Sequence, residues 1–147
     1  MKYYAGAIYL VGAYMEIYKS VNDGATWSSI NFVDGSNVNQ PPPFVMYGID
    51  VNGNDIAVVG SNGILNISND GGSSWRNKNY SVNNNVGATT YSSILVIPTG
   101  VNSTAGKIWM GPNGGGDIFY SSNGGTNWTT KPLHHSYPIS GINFVHP

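Results

Sequence analysis

The sequence has no cysteine and few charged residues, and these two absences exclude several classes of protein. Without cysteine, the chain of 147 residues can form neither a disulfide framework nor a thiolate metal site. Charged residues make up 9% of the chain, and Arg76 is its one arginine, so a basic patch for nucleic acid is lacking. No apolar run approaches the roughly 18 residues of a membrane span. We therefore expect no nucleic-acid partner and no membrane insertion.

The composition instead favours an all-β fold. Ala, Leu, Glu and Lys, which favour helices, are scarce, whereas the turn-forming Gly and Asn and the strand-forming Tyr and Val are abundant. The N-terminal stretch MKYYAGAIYLVGAYM superficially resembles a signal peptide. Tyr and Gly interrupt its apolar run, however, and Glu16 follows where a cleavage site would be expected. We interpret this stretch as β-strand and expect no N-terminal export signal.

One motif occurs three times and predicts the organisation of the chain. The stretches SVNDGATW, SNDGGSSW and SSNGGTNW end at Trp27, Trp75 and Trp128. Each is preceded, at nearly the same distance, by two short apolar segments separated by a turn that contains Gly or Asn. Recurrence at intervals of about 50 residues is typical of a repeat architecture. In each copy, an Asp or Asn can bond backbone amides of its own turn, and a Gly can take positive φ.

The three motifs resemble the Asp-box, or BNR, repeat of β-propellers such as sialidases, sortilin-type receptors and several lectins. The resemblance implies blades of four antiparallel strands, with the box between the third and fourth strands and a structural role for its residues. The first and third copies carry Asn where the family usually has Asp. The box residues that we interpret as structural are Ser20, Asn22, Gly24, Trp27, Ser68, Asp70, Gly72, Trp75, Ser121, Asn123, Gly125 and Trp128.

Counting strands gives a single domain of three blades over residues 1–147: blade 1 at about 1–33, blade 2 at about 44–80 and blade 3 at about 91–131. In this interpretation blade 1 has no innermost strand, and a strand at 139–146 has no blade to follow it. We therefore expect a homodimer that forms a six-bladed ring, in which the strand 139–146 of each chain completes blade 1 of its partner. A fragment of a longer propeller and a nine-bladed trimer are the alternatives.

Long loops rich in amide and aromatic side chains are expected to share one face of the propeller. Such side chains suit neutral sugars, although any one of them can equally be part of a solvated turn. The candidate ligand-binding residues are Tyr14, Asn39, Gln40, Asn62, Asn84, Asn113, His134, His135 and Tyr137.

Catalytic and metal sites are not expected. One arginine cannot supply the arginine triad of sialidases, and Glu16 is the one glutamate. Asp50, on an innermost strand, is expected to line the channel rather than to act in a catalytic pair. His134 and His135 are neighbours on an extended segment and would point to opposite sides, so they would not chelate one metal together. We predict no catalytic residue, no metal and no cofactor.

The leading hypothesis is a non-catalytic, lectin-like module that binds glycans at a cell or virion surface. Repeated weak sites would gain from multivalency. The first alternative is a structural virion component, such as a decoration, turret or tail protein, and a glycosidase-like enzyme ranks last. An extracellular or virion-surface location is favoured, with glycans or other virion proteins as partners.

Overall fold

The computed structural model describes residues 1–14, 16–30, 45–77, 89–97 and 106–142. Within these ranges, the β-strands form three antiparallel sheets of four strands each, and consecutive strands are neighbours in each sheet. The predicted all-β fold with three four-stranded blades is confirmed. No helix in the described ranges is long and apolar enough to cross a membrane.

Each blade contains four consecutive strands. Blade 1 consists of β1 (Lys2–Tyr4), β2 (Ala7–Val11), β3 (Ile17–Ser20) and β4 (Ser28–Ile30). Blade 2 consists of β5 (Met46–Asn52), β6 (Asp55–Gly60), β7 (Leu65–Ser68) and β8 (Arg76–Asn77), with a 3₁₀ turn at Ser61–Gly63. Blade 3 consists of β9 (Tyr91–Ile97), β10 (Lys107–Pro112), β11 (Gly116–Ser121) and β12 (Thr129–His135).

Blade 1 has an innermost strand of its own, so the prediction that it lacks one is wrong. β1 pairs with β2 in antiparallel register, with Tyr3 opposite Ile8. Ala5 and Gly6 both have positive φ, 48° and 80°, and form the two-residue turn that joins the two strands. The reason for expecting a strand-exchanged homodimer is thereby removed.

The described start of the segment predicted to complete a partner's blade contacts blade 3 of its own chain, through Ile139. Residues 139–142 are not in a strand, and residues 143–146 of the predicted strand lie outside the described part. The N–H of Ile139 donates to the carbonyl oxygen of Pro112 at 3.1 Å, and the hydroxyl of Ser92 donates to the carbonyl oxygen of Ile139 at 2.8 Å. These bonds hold the segment against the start of β9 and the end of β10.

Adjacent blades pack through two apolar layers, one on each face of blade 2. Side chains alternate between the two faces of a strand. In β6, Ile56 and Val58 therefore face blade 1, where they meet Ile17, whereas Ala57 and Val59 face blade 3. All four of these β6 residues are at most 1% exposed. The central strands of blade 2 are apolar on both faces because both faces are covered.

The Trp of an Asp box packs against the preceding blade. Trp75 of blade 2 is 4% exposed and belongs to the apolar layer shared with blade 1. Trp128 of blade 3 packs on the layer shared with blade 2. Trp27 is 41% exposed, since no blade precedes blade 1 in the described residues. Burial of this ring thus depends on the preceding blade and not on the box itself.

The three boxes share one hydrogen-bond network. The box Ser hydroxyl accepts the N–H of the box Gly, at 2.9 Å in blade 1, 2.8 Å in blade 2 and 2.9 Å in blade 3. The same hydroxyl donates to the box Asn or Asp, at 3.0, 2.8 and 3.0 Å. That Asn or Asp in turn accepts the N–H four residues further on, at 2.9, 2.8 and 2.8 Å. Asn therefore makes the same backbone bond as Asp in the first and third boxes.

Hydrogen bonds stabilise the charged form of Asp70 in the second box. The hydroxyl of Ser74 donates to Oδ2 at 2.5 Å, the N–H of Ser74 donates to Oδ1 at 2.8 Å, and the hydroxyl of Ser68 also donates to Oδ1. In that order, these bonds lower the pKa of Asp70 from 3.8 to about 2. A carboxyl whose pKa is lower in the folded chain stabilises the fold above its unfolded pKa. This contribution is lost as the pH falls from about 4 to about 2.

We expect Ser74→Ala to raise the pKa of Asp70 toward its usual value, because the change removes the hydroxyl that lowers it most. The acid-induced loss of stability should then begin at a higher pH than in the unchanged protein. A ¹³C NMR titration of the Asp70 carboxyl group measures this shift. Ser73→Ala is the control, since the Ser73 hydroxyl bonds the Asp70 carbonyl and not its carboxylate. An unchanged titration in Ser74→Ala would contradict the assignment.

Two glycine substitutions distinguish the contribution of packing between blades from that of the box conformation to stability. Gly72 and Gly24 occupy the same box position, with φ of 96° and 87°. A Cβ on Gly72 would lie 2.6 Å from Cγ2 of Ile30 in blade 1, whereas a Cβ on Gly24 would meet only its own Trp27, at 3.5 Å. Both Ala substitutions should cost about 1 kcal/mol or more through the positive φ. Gly72→Ala should cost a further 1–3 kcal/mol, roughly, through overpacking between blades.

Urea unfolding of both variants measures the difference in free energy. Equal destabilisation by Gly72→Ala and Gly24→Ala would mean that the contact between Gly72 and Ile30 contributes nothing.

Candidate functional site

Each blade directs its Asp box to one face and the loop between its second and third strands to the other. On the box side, Gly71 N–H donates to the carbonyl of Asn54, in the turn between β5 and β6, at 2.9 Å. On the opposite side, Met46 N–H donates to the carbonyl of Gly12 at 3.1 Å, and Asn113 N–H donates to that of Thr90 at 2.8 Å. We call this opposite side, with the loops between second and third strands and the starts of β5 and β9, the loop face.

Six of the nine ligand-binding residues predicted from the sequence lie within the described ranges. Tyr14, Asn62 and Asn113 lie in the loops between the second and third strands of the three blades, and all three are exposed. The structure places them on the loop face, one on each blade. Tyr137, which follows β12, is 70% exposed. Asn39, Gln40 and Asn84 lie outside the described residues, and a ligand-binding role for the whole set stays a prediction.

The two histidines lie in a strand and not in the loop predicted for them. β12 extends to His135, beyond the expected end of the outermost strand at residue 131. The pairing shifts between Ile118 opposite Lys131 and Gly116 opposite His135, and His134 has a φ of 49°. The segment is therefore bulged, so the argument from a regularly extended chain does not apply to it. In the described ranges, no group of three potential metal ligands converges.

The innermost strands enclose a cavity of about 290 Å³, which we call the axial pocket. It is lined by Met1 and Lys2 of blade 1 and by residues 47–50, 92–94 and 140–142. β5 and β9 both begin at the loop face, and the last two residues of β5 and the last three of β9 do not line the cavity, so the axial pocket lies nearer that face. All three blades therefore contribute to one site.

The carboxylate of Asp50 links the three innermost strands beside this pocket. From β5, its Oδ1 lies 2.6 Å from Nζ of Lys2 in β1, and its Oδ2 accepts the N–H of Val96 in β9 at 2.7 Å. Asp50 is 3% exposed. Asp50 thus lies at the wall of the axial pocket as part of an ion pair, and its predicted place in a central channel stays a prediction.

A glycine allows β5 and β9 to approach closely at the pocket wall. A Cβ on Gly48 would lie 2.9 Å from Cγ2 of Val59 and 3.2 Å from the carbonyl oxygen of Ser92. The first contact is with a side chain of β6 in the same blade, whereas the second would require the Ser92 carbonyl of β9 to move by a few tenths of an ångström. Gly48 therefore permits the close approach of β5 and β9 at the pocket wall.

Lys2 is the residue of this site that sequence reasoning missed. The strand count from the sequence predicts no innermost strand for blade 1 and therefore gives Lys2 no role. A signal was present in KYYAGAIY, where two strand-forming segments flank a two-residue turn at Ala5 and Gly6. The pairing of Lys2 with Asp50 had no local signal, because 47 residues separate the two positions.

Several solved structures share the fold, among them the following three. A structure described as YCF48 bound to D1 peptide is 22% identical, with a TM-score of 0.64, and the match covers 83% of this chain and 34% of that one. An ancestral GH74 enzyme is 24% identical, with a TM-score of 0.59 and coverage of 90% and 17%. YCF48 from Cyanidioschyzon merolae is 19% identical, with a TM-score of 0.51 and coverage of 97% and 45%. The chain thus spans about a third of the first of these structures. A search of curated proteins finds no match.

The model of one protein family, described as photosynthesis system II assembly factor YCF48, matches residues 5–131. The match confirms a BNR-type β-propeller, though not the sialidase, sortilin or lectin type specifically. The expectation of a lectin-like or virion protein with glycan or virion partners is wrong, because the family is one of photosystem II assembly factors and one YCF48 neighbour binds a D1 peptide. The expected lack of enzymatic activity agrees with such a family. The chain belongs to the YCF48 family of photosystem II assembly factors.

Proposed function

We propose that this chain is a protein-binding module in the assembly of photosystem II, which holds an extended peptide segment of a photosystem II subunit at its loop face. The family match over residues 5–131 is the observation that carries the proposal. A YCF48 structure that shares the fold is bound to a D1 peptide, which makes D1 the first partner to test.

The geometry of the loop face supports the binding of a peptide. The axial pocket is a concave site near that face, and Tyr47 on its wall is 46% exposed. Tyr14, 70% exposed, adds a second aromatic ring on the same face. Aromatic side chains are enriched in protein interfaces, where they provide large contact areas at a small entropic cost. The ion pair of Asp50 and the close approach at Gly48 hold the pocket in shape before a ligand arrives.

In our view the chain resembles sialidase, sortilin and lectin blades because all of them contain the Asp box, and not because they share a ligand. The box hydrogen bonds close a turn on the face opposite the axial pocket. The same structural unit serves propellers of unrelated function, since function depends on the site and not on the fold.

We expect at least one of a set of overlapping peptides that cover the D1 sequence to bind the chain, as measured by fluorescence polarisation. Tyr47→Ala should weaken that binding by about fivefold or more, in the range of an interface tyrosine. Val21→Ala is the control, because Val21 is also an exposed apolar side chain, at 71%, but lies in the box turn on the opposite face. Failure of every D1 peptide to bind, or equal weakening by the two variants, would count against the proposal.

A further inference from the structure

We propose that the axial pocket binds a carboxylate group of a peptide, and that the ammonium group of Lys2 recognises it. The inference rests on the proposed function only in taking the ligand to be a peptide. The charges and exposures of the pocket's own residues support it.

The charge that a ligand meets in the pocket is positive. Among the described residues that line it, Lys2 and Asp50 are the two with charged side chains. The side chain of Lys2 is 34% exposed, whereas that of Asp50 is 5% exposed. Both carboxylate oxygens of Asp50 already have partners, in Lys2 and in the N–H of Val96. An entering group can therefore reach the ammonium, whereas the carboxylate is covered.

Lys2 keeps hydrogen-bonding capacity for a ligand. A lysine ammonium has three donors, and its contact with Oδ1 of Asp50 uses one of them. Charge-assisted bonds between an ammonium and a carboxylate are among the stronger hydrogen bonds in proteins. A carboxylate is the group on a peptide that meets these requirements.

The size of the pocket limits what can enter. Its volume of about 290 Å³ lies at the lower end of ligand pockets, which range from about 300 to 1,000 Å³. This space suits one side chain or the end of a chain and is too small for a folded domain. The carboxylate can belong to a C-terminus or to an internal Asp or Glu, and the two sources share the same chemistry.

Three short peptides distinguish these sources without knowledge of the natural partner. The first is acetylated tetra-alanine with a free carboxylate, and the second is the same peptide with a C-terminal amide. The third is an amidated peptide in which one alanine is replaced by glutamate. Binding is followed in ¹H–¹⁵N NMR spectra at the backbone amides of Gly48, Val96 and Gly141. We expect the free-carboxylate peptide to shift these amides, with a Kd on the order of 1 mM, and the all-alanine amide not to do so.

Variants of the Lys2–Asp50 ion pair test whether the axial pocket recognises a negative charge on its ligand. Asp50→Asn keeps an acceptor for Val96 N–H and frees Lys2 from its counterion, so the carboxylate should bind roughly threefold more tightly or better. Adding Lys2→Met to Asp50→Asn removes the ammonium without leaving a buried charge and should weaken binding by roughly tenfold or more. Lys107→Met is the control, because Lys107 is an exposed lysine of β10 outside the pocket. It should leave binding unchanged.

Each outcome decides the proposal. Binding of the glutamate peptide as well supports the carboxylate site and adds internal acidic residues as a source. Equal binding of the free acid and the all-alanine amide overturns the site, and this comparison needs no variant to fold. Unchanged binding of the free acid in the folded double variant overturns it too, since the ammonium of Lys2 then does not hold the carboxylate. Circular dichroism checks that each variant is folded.

The same experiments separate this inference from the proposed function. If no D1 peptide binds but free-carboxylate tetra-alanine shifts the pocket amides as described, the photosystem II proposal fails and the carboxylate site stands. If a D1 peptide binds equally to the unchanged chain, to Asp50→Asn and to the double variant, the carboxylate site fails and the proposed function stands.

Discussion

The carboxylate of Asp50 connects the innermost strands of all three blades, from β5 to Lys2 of β1 and to Val96 of β9. Farther from the axis, apolar layers hold adjacent blades together. At the axis, the innermost strands present free edges whose backbone groups need polar partners. A buried carboxylate is favourable only when paired and hydrogen-bonded, and both conditions are met here. Because Lys2 is partly exposed, its loss costs less than the 3–5 kcal/mol or so typical of fully buried pairs.

The outer parts of the blades depend on a different kind of contact. The box hydrogen bonds span at most four residues, so each box turn can form from its own segment. Packing of the box Trp depends instead on the blade that precedes its own blade in the chain. Trp75 and Trp128 carry the same motif as Trp27, yet within the described residues only the first two contact an apolar layer of a preceding blade. The box therefore determines the turn, and the neighbouring blade determines whether the ring is buried.

The difference between the local box turns and the long-range packing of blades explains which features could be predicted from the sequence. Three blades and three box turns followed from residue types at fixed short spacing, since such hydrogen bonds are local. β1 was missed because three residues are too few for an alternating pattern, and its contacts with β5 are long-range. The position of Asp50 on an innermost strand was predictable, but its partner was not. The function was mistaken because Asn-rich loops and Asp boxes occur in propellers with unrelated roles, and neither feature identifies a ligand.

The axial pocket and the loop residues differ in how closely they depend on the fold. Tyr14, Asn62 and Asn113 are exposed on separate blades, so each can change with little effect on packing. The pocket exists only where the innermost strands of three blades converge, and its ion pair also joins those strands. Stability and charge recognition are therefore coupled at Asp50. A substitution that removes its charge but keeps its hydrogen bond to Val96 separates the two roles, because the backbone link persists while the electrostatic field at Lys2 changes.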